Sequence, residues 1–208
     1  MPGDFVGYSP SIQIVRGQAY RKNPCAALHR LAVQNYGHSS ALPVSLLQTW
    51  YERNRAIFRI AVVSESLVVG YLSALPLFAN VFEKTLEPDF QEKCIDAADI
   101  LPSFCPAEGG IFISSILVTP EYRRRSPASL LLRLAFIEDL IGECIRANQL
   151  IRISAQVLSP GGGACMRSLG LKAGNPTPAG WRIYDSRLGR ADLLAARKKL
   201  QHKLAARF

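Results

Sequence analysis

Residues 11–15 (SIQIV) alternate polar and apolar positions, the period of a half-buried strand. Asn23-Pro24 then opens a helical pattern in which Ala27, Leu28, Leu31, Ala32 and Val33 share one face. Proline suits a first helical turn because the amide it lacks would be unpaired there. A second short helix is predicted over 43–53, with Leu46, Leu47 and Trp50 apolar. Residues 57–63 (IFRIAVV) and 67–75 (LVVGYLSAL) read as two strands joined by Ser64-Glu65-Ser66, an antiparallel hairpin. No charged residue occurs from Ser66 to Phe82, but Gly70, Pro76 and Asn80 interrupt the run. It falls short of the roughly 20 apolar residues that cross a bilayer, so a buried strand is expected.

Downstream, residues 83–108 are polar and acidic and predict helix and loop. Residues 110–119 (GIFISSILVT) are apolar on both faces, as in a strand covered by helices on either side. Pro120 ends that strand, and 121–125 (EYRRR) read as a turn. Ser126 is a candidate N-cap with Pro127 at the first helical position. The helix it opens runs to 147, with Leu130, Leu131, Leu134, Ile137, Leu140 and Ile141 apolar. A strand over 151–158, a break at the glycines of 159–163, a short helix over 164–169, a strand over 181–184 and a helix over 190–206 complete the pattern. The fold class is α/β (α+β), with antiparallel strands first and a strand–helix–strand unit later, in a single domain over 1–208. No internal repeat or linker is found.

Composition narrows the class. The chain has 208 residues, 49% of them hydrophobic and 20% charged, which excludes fibrous and wholly disordered chains. Its five cysteines are odd in number and scattered, and its three histidines show no ligand spacing. Free thiols in a reducing cytoplasm are therefore expected, with neither a disulfide framework nor a metal site. The first residues, MPGDFVGYSPS, lack the basic and apolar regions of a secretory signal.

The net charge of +9 is uneven. An acidic stretch near 80–108 precedes a C-terminal helix rich in Lys and Arg. Such a helix suits nucleic acid or another anionic surface, but it lacks interleaved aromatic residues, which favours a solvated terminal helix. Glu83, Glu87 and Asp89 give that stretch a negative field.

The segment richest in chemistry is 113–132, ISSILVTPEYRRRSPASLLL. A central strand delivers the chain to the start of a long helix, where free amides and the helix dipole favour a phosphate. Arg123, Arg124 and Arg125 add charged donors at the same place. The Gly161-Gly162-Gly163 run lacks the Lys-Ser/Thr ending of a nucleotide-binding loop, and no G-x-S-x-G elbow occurs. Cys165 follows those glycines without a histidine partner, so ordinary burial is expected of it.

The run from Val118 to Leu132 resembles the core motif of the GNAT superfamily of acetyl-CoA-dependent N-acetyltransferases, V-x-P-x-x-[QR]-x-x-G-x-[GA]. Val118, Pro120, Arg123 and Ala128 match it, while Ser126 stands where the first glycine is usual. Met166 to Leu171 (MRSLGL) resembles that superfamily's Y-E-K-L-G-F signature, and LVVGYLSALPL its third strand. The resemblance covers roughly 57–184 and implies a mixed, mostly antiparallel sheet flanked by helices. It implies acetyl-CoA as co-substrate, an amine on a small molecule or protein as acceptor, and direct attack without a covalent enzyme intermediate. Leu117 and Val118 would orient the pantetheine. Arg123, Arg124, Arg125, Ser126, Pro127, Ala128 and Ser129 would hold the diphosphate.

Met166 replaces the tyrosine that often protonates the departing thiolate, and Ser159 the asparagine seven residues earlier. Ser114 or Ser115 could hold a water, and Tyr71, Tyr184 or Ser159 could serve as acid. The catalytic candidates are thus Ser115, Tyr184 and Ser159. The alternative is an inactive GNAT-fold module that contacts nucleic acid or an acidic partner through its basic C-terminal helix. A cytoplasmic location without membrane contact is expected, and a homodimer is left open.

Overall fold

Three runs rich in β-branched and aliphatic residues, Gln13–Arg16 (β1), Phe58–Ser64 (β2) and Leu67–Phe78 (β3), pair antiparallel in that order. β3 continues the antiparallel ladder into Gly109–Val118 (β4). From β4 the sheet passes to a parallel neighbour, Ile151–Val157 (β5), and then antiparallel to Arg182–Leu188 and Lys172–Pro176 at the far edge. In chain order those last two are β6 (Lys172–Pro176) and β7 (Arg182–Leu188), so the seven-stranded sheet runs β1-β2-β3-β4-β5-β7-β6. The computed structural model describes residues 12–64, 67–104 and 109–207, the side chains of Ser64, Arg124 and Arg125 excepted. Ser11, the Glu65-Ser66 turn, Cys105 and Glu108, all part of the sequence reading, lie outside the described residues.

Helices cover both faces because β3 is buried from Val68 to Leu77 and cannot leave either side in water. One face carries α1 (Cys25–Tyr36) and α2 (Val44–Arg53), with Leu28, Leu31, Leu47 and Trp50 packed on Ile60, Leu75 and Phe112. The other carries α5 (Ala128–Ala147) and α7 (Arg190–Ala205), with Phe136, Ile137 and Leu140 against Leu72, Ile111 and Ile153. α7 buries Leu193, Ala196 and Leu200, one face at helical spacing, and turns its charged residues outward.

The acidic segment starts as a short helix, α3 (Ala79–Lys84), and continues as irregular chain with two single 3-10 turns, Glu92–Cys94 and Ala97–Asp99. Side chains of α2 hold it. Trp50 Nε1 donates to the Ile95 carbonyl, Arg53 Nε to Ile100 and Asn54 Nδ2 to Leu101, each at 2.9 Å.

Three local readings change. The turn expected over 121–125 belongs to a short helix, α4 (Pro120–Arg125), because Pro120 can open a helix and the Thr119 carbonyl accepts from the amides of Tyr122 and Arg123 at 3.0 Å. The glycines at 161–163 do not break the chain; they form the first turns of α6 (Pro160–Ser168), capped by Ser159 Oγ. Glycine is required by close approach, since a Cβ at Gly163 would lie 2.5 Å from Tyr184 Oη and one at Gly162 2.7 Å from a Val157 methyl. β6 was not expected at all. All five of its residues are exposed, so it joins the edge through backbone bonds with no hydrophobic pattern to announce it.

One buried charge ties the layers together. Arg59 of β2 is 1% exposed and lies 4.3 Å from the Phe104 ring centre and 5.3 Å from that of Phe136. Its Nε and Nη2 both reach Asp139 Oδ2 of α5 at 2.9 Å, and exposed Arg16 binds the other carboxylate oxygen. Removing that carboxylate leaves a buried guanidinium without a counter-charge, which costs roughly 3–5 kcal/mol. Urea unfolding of Asp139→Ala is expected to show a loss of that order, whereas Arg16→Ala, an exposed partner, is expected to cost less than about 1 kcal/mol.

Candidate functional site

The β4–β5 ladder is short. Ile111, Phe112 and Ile113 pair with Ile153, Ser154 and Ala155, and no further register pair joins the two strands. From Ser114 onward β4 therefore presents an open edge to the β5 side, and the strands form a fork. A bulge lies at the branch point: Ser73 pairs with Ser115 and Ala74 with Ile113, which leaves Ser114 as the extra residue. A bulge bends its strand and breaks the alternation of side chains. Ser114 and Ser115, neighbours in sequence, consequently both point to the α1–α2 face. There Ser73 Oγ donates to Ser114 Oγ at 2.8 Å, and Tyr71 bonds Ser115.

The acidic segment crosses the fork on this face and touches both arms. On the β5 side, Thr85 Oγ1 and Ser154 Oγ are 2.7 Å apart, and Arg152 forms an ion pair with Glu83. On the β4 side, Phe90 packs edge-on against Phe112 with ring centres 5.9 Å apart. Between them Glu92 accepts a hydrogen bond from Ser114 Oγ. Burial pushes the Glu92 carboxyl up to about 7, against the opposing pull of the Ser114 hydroxyl. Burial likewise pushes the Tyr71 phenol up, so it stays protonated, with Tyr36 and Glu92 close enough to add to the effect. A carboxyl that titrates near neutrality beside a protonated phenol is equipped to take a proton and to return one.

The sequence candidates divide between places. Ser114, Ser115 and Tyr71 come together with Glu92. Tyr184 is 2% exposed on the opposite face, where Arg167 Nη1 donates to its hydroxyl at 3.0 Å. Ser159 is the N-cap of α6, accepting from Gly162 N at 3.0 Å. Met166 is buried in the core at 4% exposure. Glu83 is held by Arg152, and Glu87 offers its carbonyl to Gln156 Nε2 at 3.4 Å. Glu92 was counted only as part of an acidic stretch. No spacing in the sequence could single it out, because its partner Ser114 lies 22 positions away.

At the far end of β4, Leu117 and Val118 are buried and lead into α4. Arg123 turns back, its Nε donating to the Val118 carbonyl at 2.8 Å and its Nη2 to Asn35 Oδ1 of α1. Arg124 and Arg125 lie in α4, their side chains outside the described part. Ser126 Oγ donates to the Tyr122 carbonyl at 2.6 Å and accepts, at 3.3 Å, from the amide of Ala128. Serine in place of glycine thus supplies an acceptor to an amide that the resemblance reserves for a ligand. Pro127 has no amide to offer, and Ser129 Oγ lies 3.5 Å from Arg133 Nη2.

Neither family models nor curated proteins match this sequence. Solved structures do. A protein assigned to the GNAT acetyltransferase family from Desulfovibrio desulfuricans superposes with a TM-score of 0.52 at 13% identity, covering 86% of this chain and 99% of that one. A mosquito arylalkylamine N-acetyltransferase-like protein gives 0.51 at 16%, covering 86% and 100%. A Chaetomium thermophilum protein solved with a bisubstrate analogue gives 0.50 at 15%, covering 89% of each. The chain has the GNAT fold, as the motif resemblance implied: a mixed, mostly antiparallel sheet flanked by helices. Among the described residues no helix is long and apolar enough to cross a membrane, and no group of three His, Cys, Asp or Glu is placed to hold a metal.

The carboxyl of Glu92 makes stability depend on pH. An unfolded glutamate releases its proton near 4.5, whereas the folded one keeps it to about 7. Between those values the folded state binds the extra proton, so stability from this group is fully present below pH 4.5 and falls as pH rises to about 7. Urea unfolding across this window is expected to show Glu92 contributing a decline of up to roughly 3 kcal/mol. Glu92→Gln, which cannot titrate, is expected to flatten it.

Proposed function

We propose that this chain is an N-acetyltransferase that moves the acetyl group of acetyl-CoA to an amine of a small molecule or protein. The observation that carries the reading is the fork, where β4 and β5 part after Ile113 and Ala155 and a desolvated carboxyl stands at the branch point. An unpaired strand edge offers backbone donors and acceptors to an extended ligand, as an added strand would use them. The residues fit acetyl-CoA in two respects: the open edge runs from Ser114 to Val118, and buried Arg133 on α5 has no carboxylate partner among the described residues. They fit less well at Ala128, whose amide already has the Ser126 hydroxyl.

Acetyl-CoA supplies an activated thioester, and the amine attacks its carbonyl carbon while the carbon–sulfur bond breaks. Glu92 accepts the proton that the amine loses, its affinity near 7 matching a base that works at neutral pH. Ser114 fixes the orientation of that carboxyl through its hydrogen bond. Tyr71, kept protonated by burial and standing on the same face, supplies a proton to the departing thiolate. Met166, apolar and in the core, cannot. Glu87 and Asp89 set the negative field that draws a cationic amine toward the fork, the charge of Glu83 being taken up by Arg152. The shared fold of proteins named as acetyltransferases supports the same reading.

Isothermal titration with acetyl-CoA is the first test, and absence of binding would overturn the proposal. For Glu92→Gln the expected outcome is unchanged acetyl-CoA affinity with kcat lowered by about 10²–10⁴. The acidic limb of the rate profile near pH 7 is expected to vanish with it. Ala128→Glu places a negative charge at the first turn of α5 and is expected to abolish CoA binding in a folded protein.

A further inference from the structure

Away from the fork, where β1 and β2 lie against α5, the fold leaves a cavity of about 260 Å³. Arg16 and Arg59 line it from the two strands, and Asp139, Glu143 and Arg146 from α5. Both carboxylates are already occupied. Asp139 Oδ2 takes Nε and Nη2 of Arg59, and its Oδ1 takes Nε and Nη2 of Arg16. The two oxygens of Glu143 both accept from Arg146.

The donors are not all occupied. A guanidinium has five N–H groups, and three of those on Arg59 are engaged: two on Asp139, and one from Nη1 on the Ile57 carbonyl at 3.3 Å. One N–H therefore remains on Nη1 and one on Nη2, on a side chain only 1% exposed. The rings of Phe104 and Phe136 lie against the guanidinium and Asp139 holds its Nε edge, which leaves open the edge joining Nη1 to Nη2. On Arg16, Nε and Nη2 are bonded and Nη1 is not. Burial works against the Arg59 cation, Asp139 supports it, and the Arg16 charge opposes it again. A buried donor without an acceptor costs free energy, so an acceptor in the cavity stabilises the fold.

Arg16 and Arg59 share one carboxylate, which leaves a single positive charge at this place. Two N–H groups side by side on one planar cation match the two oxygens of a carboxylate. We propose that the cavity is a binding site for a small monocarboxylate, its head on Nη1 and Nη2 of Arg59 with Arg16 beside it, and its apolar body against the Phe104 ring. The volume lies below the roughly 300 Å³ at which pockets for drug-sized ligands begin, so the body has a few carbon atoms and a nucleotide is too large. The site is separate from the fork: Arg59 faces α5, whereas Glu92 and Ser114 meet on the α1–α2 face. It goes beyond acyl transfer and does not depend on it. A bound carboxylate ties the β1–β2 edge of the sheet to α5.

The test uses the full chain without acetyl-CoA. Benzoate, butyrate, benzamide and inorganic phosphate are each titrated by calorimetry at constant ionic strength, and the unfolding midpoint is followed with each. Benzoate and butyrate are expected to bind one to one and to raise the midpoint, because a ligand held only by the folded state stabilises it. Benzamide, of the same shape but uncharged, is expected not to bind. Arg16→Ala is expected to weaken both carboxylates about tenfold, the loss of one charged hydrogen bond. Phe104→Leu is expected to weaken benzoate more than butyrate. Arg59→Lys, checked for folding by its midpoint, has no planar pair of N–H groups and is expected to lose binding. Failure of both carboxylates to bind overturns the site, as does benzamide binding as tightly as benzoate or an unchanged affinity in Arg16→Ala. Phosphate binding as tightly as benzoate overturns the carboxylate site in favour of a general anion hole. Each of these outcomes leaves the transferase reading where acetyl-CoA titration puts it.

Discussion

Parallel pairing between β4 and β5 lasts for three residues, and what the molecule can do follows from where it stops. A strand edge in a sheet centre normally has both sides hydrogen-bonded, because unpaired amides and carbonyls in a buried place cost free energy. The bulge at Ser114 bends β4 away at the point where pairing ends and turns two consecutive hydroxyls to one face. The same distortion therefore opens the edge and builds the polar cluster beside it. A straight β4 would close the first and bury Ser115 on the other side.

What keeps a carboxyl there is the segment between β3 and β4. A buried acid is tolerated when its surroundings prevent it from turning outward, and the chain carrying Glu92 is held at both ends of its path. Trp50, Arg53 and Asn54 grip its carbonyls from α2, while Thr85 and Phe90 anchor it to the two arms of the fork. The segment's acidity, conspicuous in the sequence, is mostly solvated, and among its described acids it is half-buried Glu92, its carboxyl on Ser114, that is pushed up to about 7. Charge count pointed to the region but not to the residue.

Elements with strong periodicity were legible, and those held by backbone alone were not. The β2–β3 hairpin, α1, α5 and α7 fall close to their expected bounds because each has an apolar face that only one period explains. β6 has no such face, and the three glycines of α6 carry no helix signal; Gly163 is set by the room Tyr184 leaves and Gly162 by Val157. Arg123, Ser126 and Ala128 were legible as a motif, yet the motif does not say which amides the protein keeps for itself. Here Ser126 fills part of the space where glycine would leave an amide free. Arg133 was hidden among leucines at a position where pattern predicts nothing polar.

The basic C-terminal helix illustrates how little charge alone decides. Its sequence suggests a surface for a polyanion, and most of its lysines are indeed exposed. Its packing shows a second use of the same residues. Leu193, Ala196 and Leu200 fix α7 antiparallel along α5, which carries the end of the chain back to the start of the helix that follows β4. Arg207 then donates to the Ser126 carbonyl at 3.2 Å, so the chain after α7 is held at the start of α5 by a side-chain bond as well as by apolar packing, and the position of this basic helix is set by its buried face and not by its charge.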